Sequence, residues 1–179
     1  MHKDCEYILV SEEEIKELVK DIARRIDEDY KDKNLLMVGL LKGSVAFMAD
    51  LMKEITIDCK IDFMCASSYG AGTESSGRVR ILKDLDTNVE GRHVIIVEDV
   101  LDSGVTLSKL IEMFKSRGCA SLAVATMFDK PDRRKAHVEV AYNGLVIPNE
   151  FVVGYGLDYA EKYRNLPDLC VLKPEVYTK

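Results

Sequence analysis

The chain reads as an α/β fold, with a mainly parallel central sheet flanked by helices, and three observations carry that reading. Residues 35–41 and 94–97 are continuous apolar runs without a polar face, as expected of strands buried on both sides. Each is followed by residues with the apolar spacing of a helix. Strand and helix patterns then alternate along the chain, the order that places helices on both faces of a parallel sheet.

Taken in order, Ser11 and Glu14 have the spacing of a capping box, and Val10 and Ile15 that of a hydrophobic staple. Ile15, Leu18, Val19, Ile22 and Ile26 form one stripe, which predicts a helix from residue 12 to about 30. The run at 35–41 predicts a strand, Lys42-Gly43-Ser44 a turn, and the residues through about Glu54 a helix. A strand is expected at 60–67, and 79–83 reads as the return strand of the loop between them. That loop, 68–78, carries three glycines and three serines, and is either a flexible excursion or a lid. The run at 94–97 predicts a strand that stops at Glu98 and Asp99; Leu107, Leu110, Ile111 and Phe114 predict the helix after it. Further strands are expected at 122–127 and 151–153. Beyond Pro148 the alternation fades, as a small appendage would require.

Composition narrows the function classes. A length of 179 residues suits one domain with a sizeable core. The net charge of −6 argues against a nonspecific nucleic-acid binder, whose affinity rests on a basic surface. No apolar run is long enough to span a membrane, and the first residues lack a signal-peptide layout. The five cysteines are scattered, with no C-x-x-C, and read as reduced cytosolic thiols.

The segment from His93 to Leu107 carries the most chemistry. Three acids (Glu98, Asp99, Asp102), then Ser103, Gly104 and Thr106, lie between a buried strand and a helix. Such a cluster is either a solvated, capped turn or a ligand site. Open α/β sheets bind ligands at the carboxyl ends of their strands, and a helix start offers free N–H groups to a phosphate. Acids beside a phosphate site make sense when a divalent cation or sugar hydroxyls lie between them, so a phosphorylated sugar with Mg²⁺ is expected. Lys42-Gly43 has the same strand-to-helix setting, as an ordinary turn or a cationic loop. Lys130 by default is a solvated charge, Phe151 core, and Asp158 and Arg164 surface charges.

Val97-Glu98-Asp99-Val100-Leu101-Asp102-Ser103-Gly104-Val105-Thr106 resembles the phosphoribosyl-pyrophosphate motif of the type I phosphoribosyltransferases, in their 6-oxopurine branch. The resemblance covers nearly the whole chain. Leu41-Lys42-Gly43-Ser44 is similar to the pyrophosphate loop, Ser67-Ser68-Tyr69-Gly70 to the start of the catalytic lid, and Asp129-Lys130-Pro131 to the purine-recognition lysine. Residues 151–159, with Arg164, are similar to the hood over the base.

The resemblance implies a type I phosphoribosyltransferase fold in a single domain over 1–179, with a core of about 10–147. The hood would comprise about 148–179 with the extreme N-terminus. It also implies transfer of the phosphoribosyl group from 5-phosphoribosyl 1-pyrophosphate to N9 of hypoxanthine or guanine, giving IMP or GMP and pyrophosphate. Asp102 would be the general base, and Lys42, Arg164 and Tyr69 would serve the leaving group. Glu98 and Asp99 would hold the ribose hydroxyls directly or through Mg²⁺, with Asp158 positioning a second Mg²⁺ through water. Ser103, Gly104, Val105 and Thr106 would hold the 5-phosphate, with Gly43 and Ser68 on the pyrophosphate. Phe151 would stack on the purine, Val152 read its edge, and Lys130 donate to O6. A homodimer or homotetramer in the cytoplasm is implied as well. Two other readings compete: a nucleotide-sensing regulator on the same fold, and a receiver-type phosphoacceptor. The acidic charge and the purine-type setting of Lys130 disfavour the first. Ser103-Gly104-x-Thr106 has no role in the second.

Overall fold

The alternation becomes a six-stranded sheet with helices on both faces, beside a second sheet of three short strands. The computed structural model describes residues 1–68 and 79–178. The first strand, β1 (Cys5–Val10), leads into α1 (Glu12–Tyr30), whose start carries the expected capping box between Ser11 and Glu14. β2 (Leu35–Leu41), α2 (Val45–Glu54), β3 (Cys59–Ser68) and β4 (Val79–Lys83) follow. Next are β5 (His93–Leu101), α3 (Val105–Ser116), β6 (Ser121–Asp129) and β7 (Tyr142–Val146). The chain closes with β8 (Val152–Val153), β9 (Leu169–Leu172) and a single helical turn, α4 (Pro174–Tyr177).

The large sheet has the order β4-β3-β2-β5-β6-β7, parallel except for β4 against β3. β2 and residues 94–97 of β5 are apolar on both faces because they feed two cores. Leu35 and Met37 of β2, with Ile95 and Val97 of β5, pack beneath α1 and α2. Their neighbours Leu36, Val38, Val94 and Ile96 pack against Leu107, Leu110 and Phe114 of α3 on the other face. The small sheet, β1-β9-β8, is antiparallel. Its Val152 and Val171 belong to the α1/α2 core, so it is seated on the large sheet by shared apolar packing.

Several boundaries differ from expectation. β5 does not stop at the acids but runs through Glu98 and Asp99 to Leu101. The reason is β6: Glu98 pairs with Thr126, Val100 with Phe128 and Leu101 with Asp129, so the backbone ladder continues whatever the side chains. Thr106 lies inside α3 rather than before it, and Phe151 precedes β8 rather than heading it. The sequence does not predict β1, β7 or β9, which form by pairing with other strands, β7 with β6 and β1 with β9.

Candidate active site

The sheet order reverses between β2 and β5: β2 continues to β3 on one side and β5 to β6 on the other. Ligands bind at such switch points. The β2–β5 ladder ends at the pair Gly39–Val97, so Glu98 and Asp99 lie beyond it, with the loop after β2 against Asp99. A methyl group at Gly43 would overlap Asp99 Oδ2, and one at Gly156 (φ 96°) would overlap the Gly43 carbonyl. Glycine at both positions lets the loop 42–44 lie between the acids and the turn at 154–157. The Leu41–Lys42 peptide is cis.

Burial and the neighbouring Asp99 push Glu98 well above the usual carboxylate range, and its Oε2 has no hydrogen-bond partner among the described residues. Burial likewise pushes Asp99 up to about 6, against the Val100 N–H it accepts at 2.7 Å and the charge of Arg164. Both residues still expose part of their surface. Among the described residues no lysine or arginine is bonded to either acid, so the half-buried pair, with one orphaned oxygen, forms an electron-rich wall suited to a cation or a hydroxyl donor. Asp158 pairs with Arg164 at 2.7 Å, and Arg164 donates to the Gly156 carbonyl at 2.7 Å. No group of three or more metal-ligating side chains occurs among the described residues. The acids therefore fit Mg²⁺ only as an ion held largely by substrate oxygens and water, its usual habit.

On the far side of β5, Gly104 (φ 75°) starts α3, and a Cβ there would approach the Ala136 carbonyl to 2.8 Å. The N-cap of this helix, Gly104, has no side chain to cap with. Among the described residues only a long contact from the Val105 N–H to Ser103 Oγ at 3.4 Å reaches the helix start, and the first turn holds no acid, in contrast to α1 with its Glu12, Glu13 and Glu14. An anion is thus favoured at the α3 start. The loop is held from outside: Lys135 and Ala136 donate N–H to the Ser103 carbonyl at 2.9 and 3.0 Å. Arg134 donates to the Asp102 carbonyl at 3.0 Å and pairs with Asp129.

Next to that loop, a cleft of about 390 Å³ is lined by Asp102, Lys130, Arg133, Phe151, Val152, Leu157 and Tyr177, among others. Lys130, expected to be solvated by default, is buried; its ammonium donates to the Glu150 carbonyl at 2.7 Å. Burial pulls it below the ordinary lysine range, with Asp102 opposing. Phe151, expected by default in the core, is 39% exposed and faces the cleft. Arg133 Nε lies 2.6 Å from Asp102 Oδ1, an ion pair by distance although its N–H is not aimed at that oxygen.

The predicted residues fall into two groups around β5. Lys42, Gly43, Glu98, Asp99, Asp158 and Arg164 gather on the β2 side. Asp102, Lys130, Phe151 and Val152 share the cleft, with Ser103, Val105 and Thr106 at the helix start beside it. Lys42 is exposed and paired with Glu161 at 2.9 Å. Ser68 ends β3; Tyr69 and the rest of the expected lid lie outside the described residues. Sequence reasoning missed Glu161, Arg133, Arg134 and Tyr177. Only the arginine pair offered a signal, since Arg133 and Arg134 closely follow the Asp129-Lys130-Pro131 motif.

A switch-point site with an uncapped helix start, an acidic wall and a glycine-bearing cationic loop defines a protein that handles a phosphorylated sugar. Residues 9–160 match the family model described as phosphoribosyl transferase domain, and the chain belongs to that family. It is 55% identical over 179 residues to a hypoxanthine-guanine phosphoribosyltransferase of Staphylococcus epidermidis, covering 100% of both chains. A protein of the same name from Streptococcus pyogenes is 54% identical, over 100% of this chain and 99% of the other. A crystal structure of a hypoxanthine phosphoribosyltransferase from Staphylococcus aureus superposes with a TM-score of 0.97 at 50% identity, over 100% of this chain and 97% of that one.

Proposed function

We propose that this chain is a purine-salvage enzyme that transfers the phosphoribosyl group of 5-phosphoribosyl 1-pyrophosphate to N9 of hypoxanthine or guanine, with Mg²⁺. The observation that carries the reading is the cleft that gathers buried Lys130, Asp102 and Phe151 beside an uncapped helix start. The names of the relatives from Staphylococcus and Streptococcus support the same substrates.

Displacement at an anomeric carbon passes through oxocarbenium character, so charge builds on the leaving group and a proton leaves the nucleophile. N–H groups at 103–106 and the hydroxyls of Ser103 and Thr106 hold the 5-phosphate. Glu98 and Asp99 hold the ribose 2- and 3-hydroxyls. Glu98, Asp99 and Asp158 would also hold Mg²⁺, which would neutralise the charge gathering on the pyrophosphate. Lys42, Arg164 and the N–H groups at 42–44 face the same charge, and Lys42 exchanges Glu161 for it. Ser68 and Tyr69 serve the leaving pyrophosphate.

Asp102 takes the purine N7 proton as N9 attacks, which requires Arg133 to release it. Phe151 stacks on the base and the Val152 backbone reads its edge. Lys130 donates to O6; a 6-amino group would set donor against donor, so adenine is a poor substrate. The chain acts as one domain over 1–179, with a core of about 10–147 and a hood of 148–179 joined by the extreme N-terminus. It works in the cytoplasm as a homodimer or homotetramer. No described helix is long and apolar enough to cross a membrane. Ultraviolet absorbance, followed with purified protein, donor, Mg²⁺ and each purine in turn, tests the reading. Hypoxanthine or guanine should be consumed; no change with any purine would overturn it.

A further inference from the structure

We propose that Tyr177 is a positioning residue for the purine, holding Phe151 flat from behind so that the bound base completes a three-ring stack. The proposal rests on the reading of the cleft as the purine site. The two rings lie 4.5 Å apart between centroids at an interplanar angle of 16°, while Tyr159 meets Phe151 edge-on at 5.5 Å and 86°. An aromatic ring has two faces. Tyr177, which also lines the cleft, covers one; Phe151 remains 39% exposed, and the base is assigned to its second face. Phe151 shares the cleft with Lys130 and Asp102, so a planar base on that second face would meet the donor for O6 and the acceptor for its proton.

The chain fixes Tyr177 from both directions. Leu172, at the end of β9, donates its N–H to the carbonyl of Phe151 itself at 2.9 Å. Lys173 donates to the Asp4 carbonyl at 3.0 Å, and Pro174 stands at the first helical position, where its fixed φ favours the turn. The turn then returns the Tyr177 ring onto Phe151. Among the described residues the Tyr177 hydroxyl makes no hydrogen bond, so the ring is what the contact uses. Phe151 lies outside any strand, and a backed ring loses less freedom when the base arrives than an unbacked one.

Aromatic pairs contribute enough beyond area burial that Tyr177→Ala should raise the KM and Kd for hypoxanthine and guanine by about three- to tenfold. The KM for the phosphoribosyl donor and kcat should stay within about twofold. Tyr177→Phe should restore the wild-type purine KM. Tyr177→Leu, which keeps apolar bulk and removes the ring, should behave like Tyr177→Ala even if the latter folds poorly. An active wild type whose purine KM is unchanged in the Ala and Leu variants overturns the stack alone. So does a lowered purine KM, which would mean that Tyr177 blocks the base position, or a failure of Tyr177→Phe to restore. A wild type inert toward every purine overturns the stack and the purine reading together.

Discussion

Replacing Lys130 by Met separates recognition of the base from folding. Lys130 is 8% exposed and its ammonium donates to the Glu150 carbonyl at 2.7 Å, in the cleft that also holds Asp102 and Phe151. Met has nearly the same length and keeps the packing. Glu150 is exposed, so its carbonyl can turn to water, and the burial cost of the ammonium disappears. Stability should therefore change by no more than about 1 kcal/mol. Recognition should not be spared. A hydrogen bond from a charged donor is worth about 1.5–3 kcal/mol, so kcat/KM for hypoxanthine and guanine should fall by about 10- to 100-fold, mostly through KM. Discrimination against adenine should shrink with it. Steady-state kinetics with each purine, beside a thermal melt, reads both numbers. A folded variant whose kcat/KM falls less than about threefold would show that Lys130 is not the O6 donor. The pH dependence has a definite sign. Burial lowers the pKa of Lys130, so purine affinity of the wild type should weaken as pH rises, before the ordinary 10.5 is reached, while Lys130→Met stays flat there. In the free protein the same window raises stability, because the folded state sheds the proton first.

Asp102→Asn should lower kcat by about 10²- to 10⁴-fold, the range of general-base loss, with donor binding kept; isothermal titration with the donor and single-turnover rates check both. Asp62→Asn should destabilise by about 1–3 kcal/mol in chemical denaturation, because an amide offers a donor where N–H groups already point. There Phe63, Thr87 and Asp86 donate to the carboxylate at 2.7, 2.8 and 3.0 Å. Burial raises the pKa of Asp62, but those N–H groups outweigh it and the net shift is downward from 3.8, so its stabilisation is present above that pH and lost in acid as the folded carboxyl protonates. Gly104→Ala should cost about 1–2 kcal/mol from its left-handed backbone alone, and should weaken donor binding as the phosphate loop shifts from Ala136.

Much of the fold was legible because burial on both faces leaves a mark in one dimension. The runs in β2 and β5 have no polar face, since alternate residues enter different cores, and the stripe and capping box of α1 declare its start and its buried side. The site was legible where chemistry is concentrated in one loop, as in the nine residues from Glu98 to Thr106. It was not legible where a role depends on distant contacts. Lys130 reads as solvated until β6 and the chain at Glu150 enclose it, and Phe151 reads as core until its open face is seen. Glu161 and Tyr177 carry no local mark, and Arg133 and Arg134 only their nearness to a motif, because the groups they meet lie far away in the chain.

The sequence by itself determined the α/β class and the acidic strand-to-helix loop as a candidate site, with residue types that suit a phosphorylated sugar. Those follow from periodicity and from local chemistry, which neighbours in the chain share; the 6-oxopurine expectation came from the resemblance to a family. Only the tertiary structure decided how the acids stand. Pairing with β6 carries β5 through Glu98 and Asp99, and the end of the β2 ladder leaves Asp99 against Gly43, with both acids half-buried and raised in pKa. Whether a carboxylate is solvated or waits for a cation depends on what surrounds it in space, and that is set by the strand order.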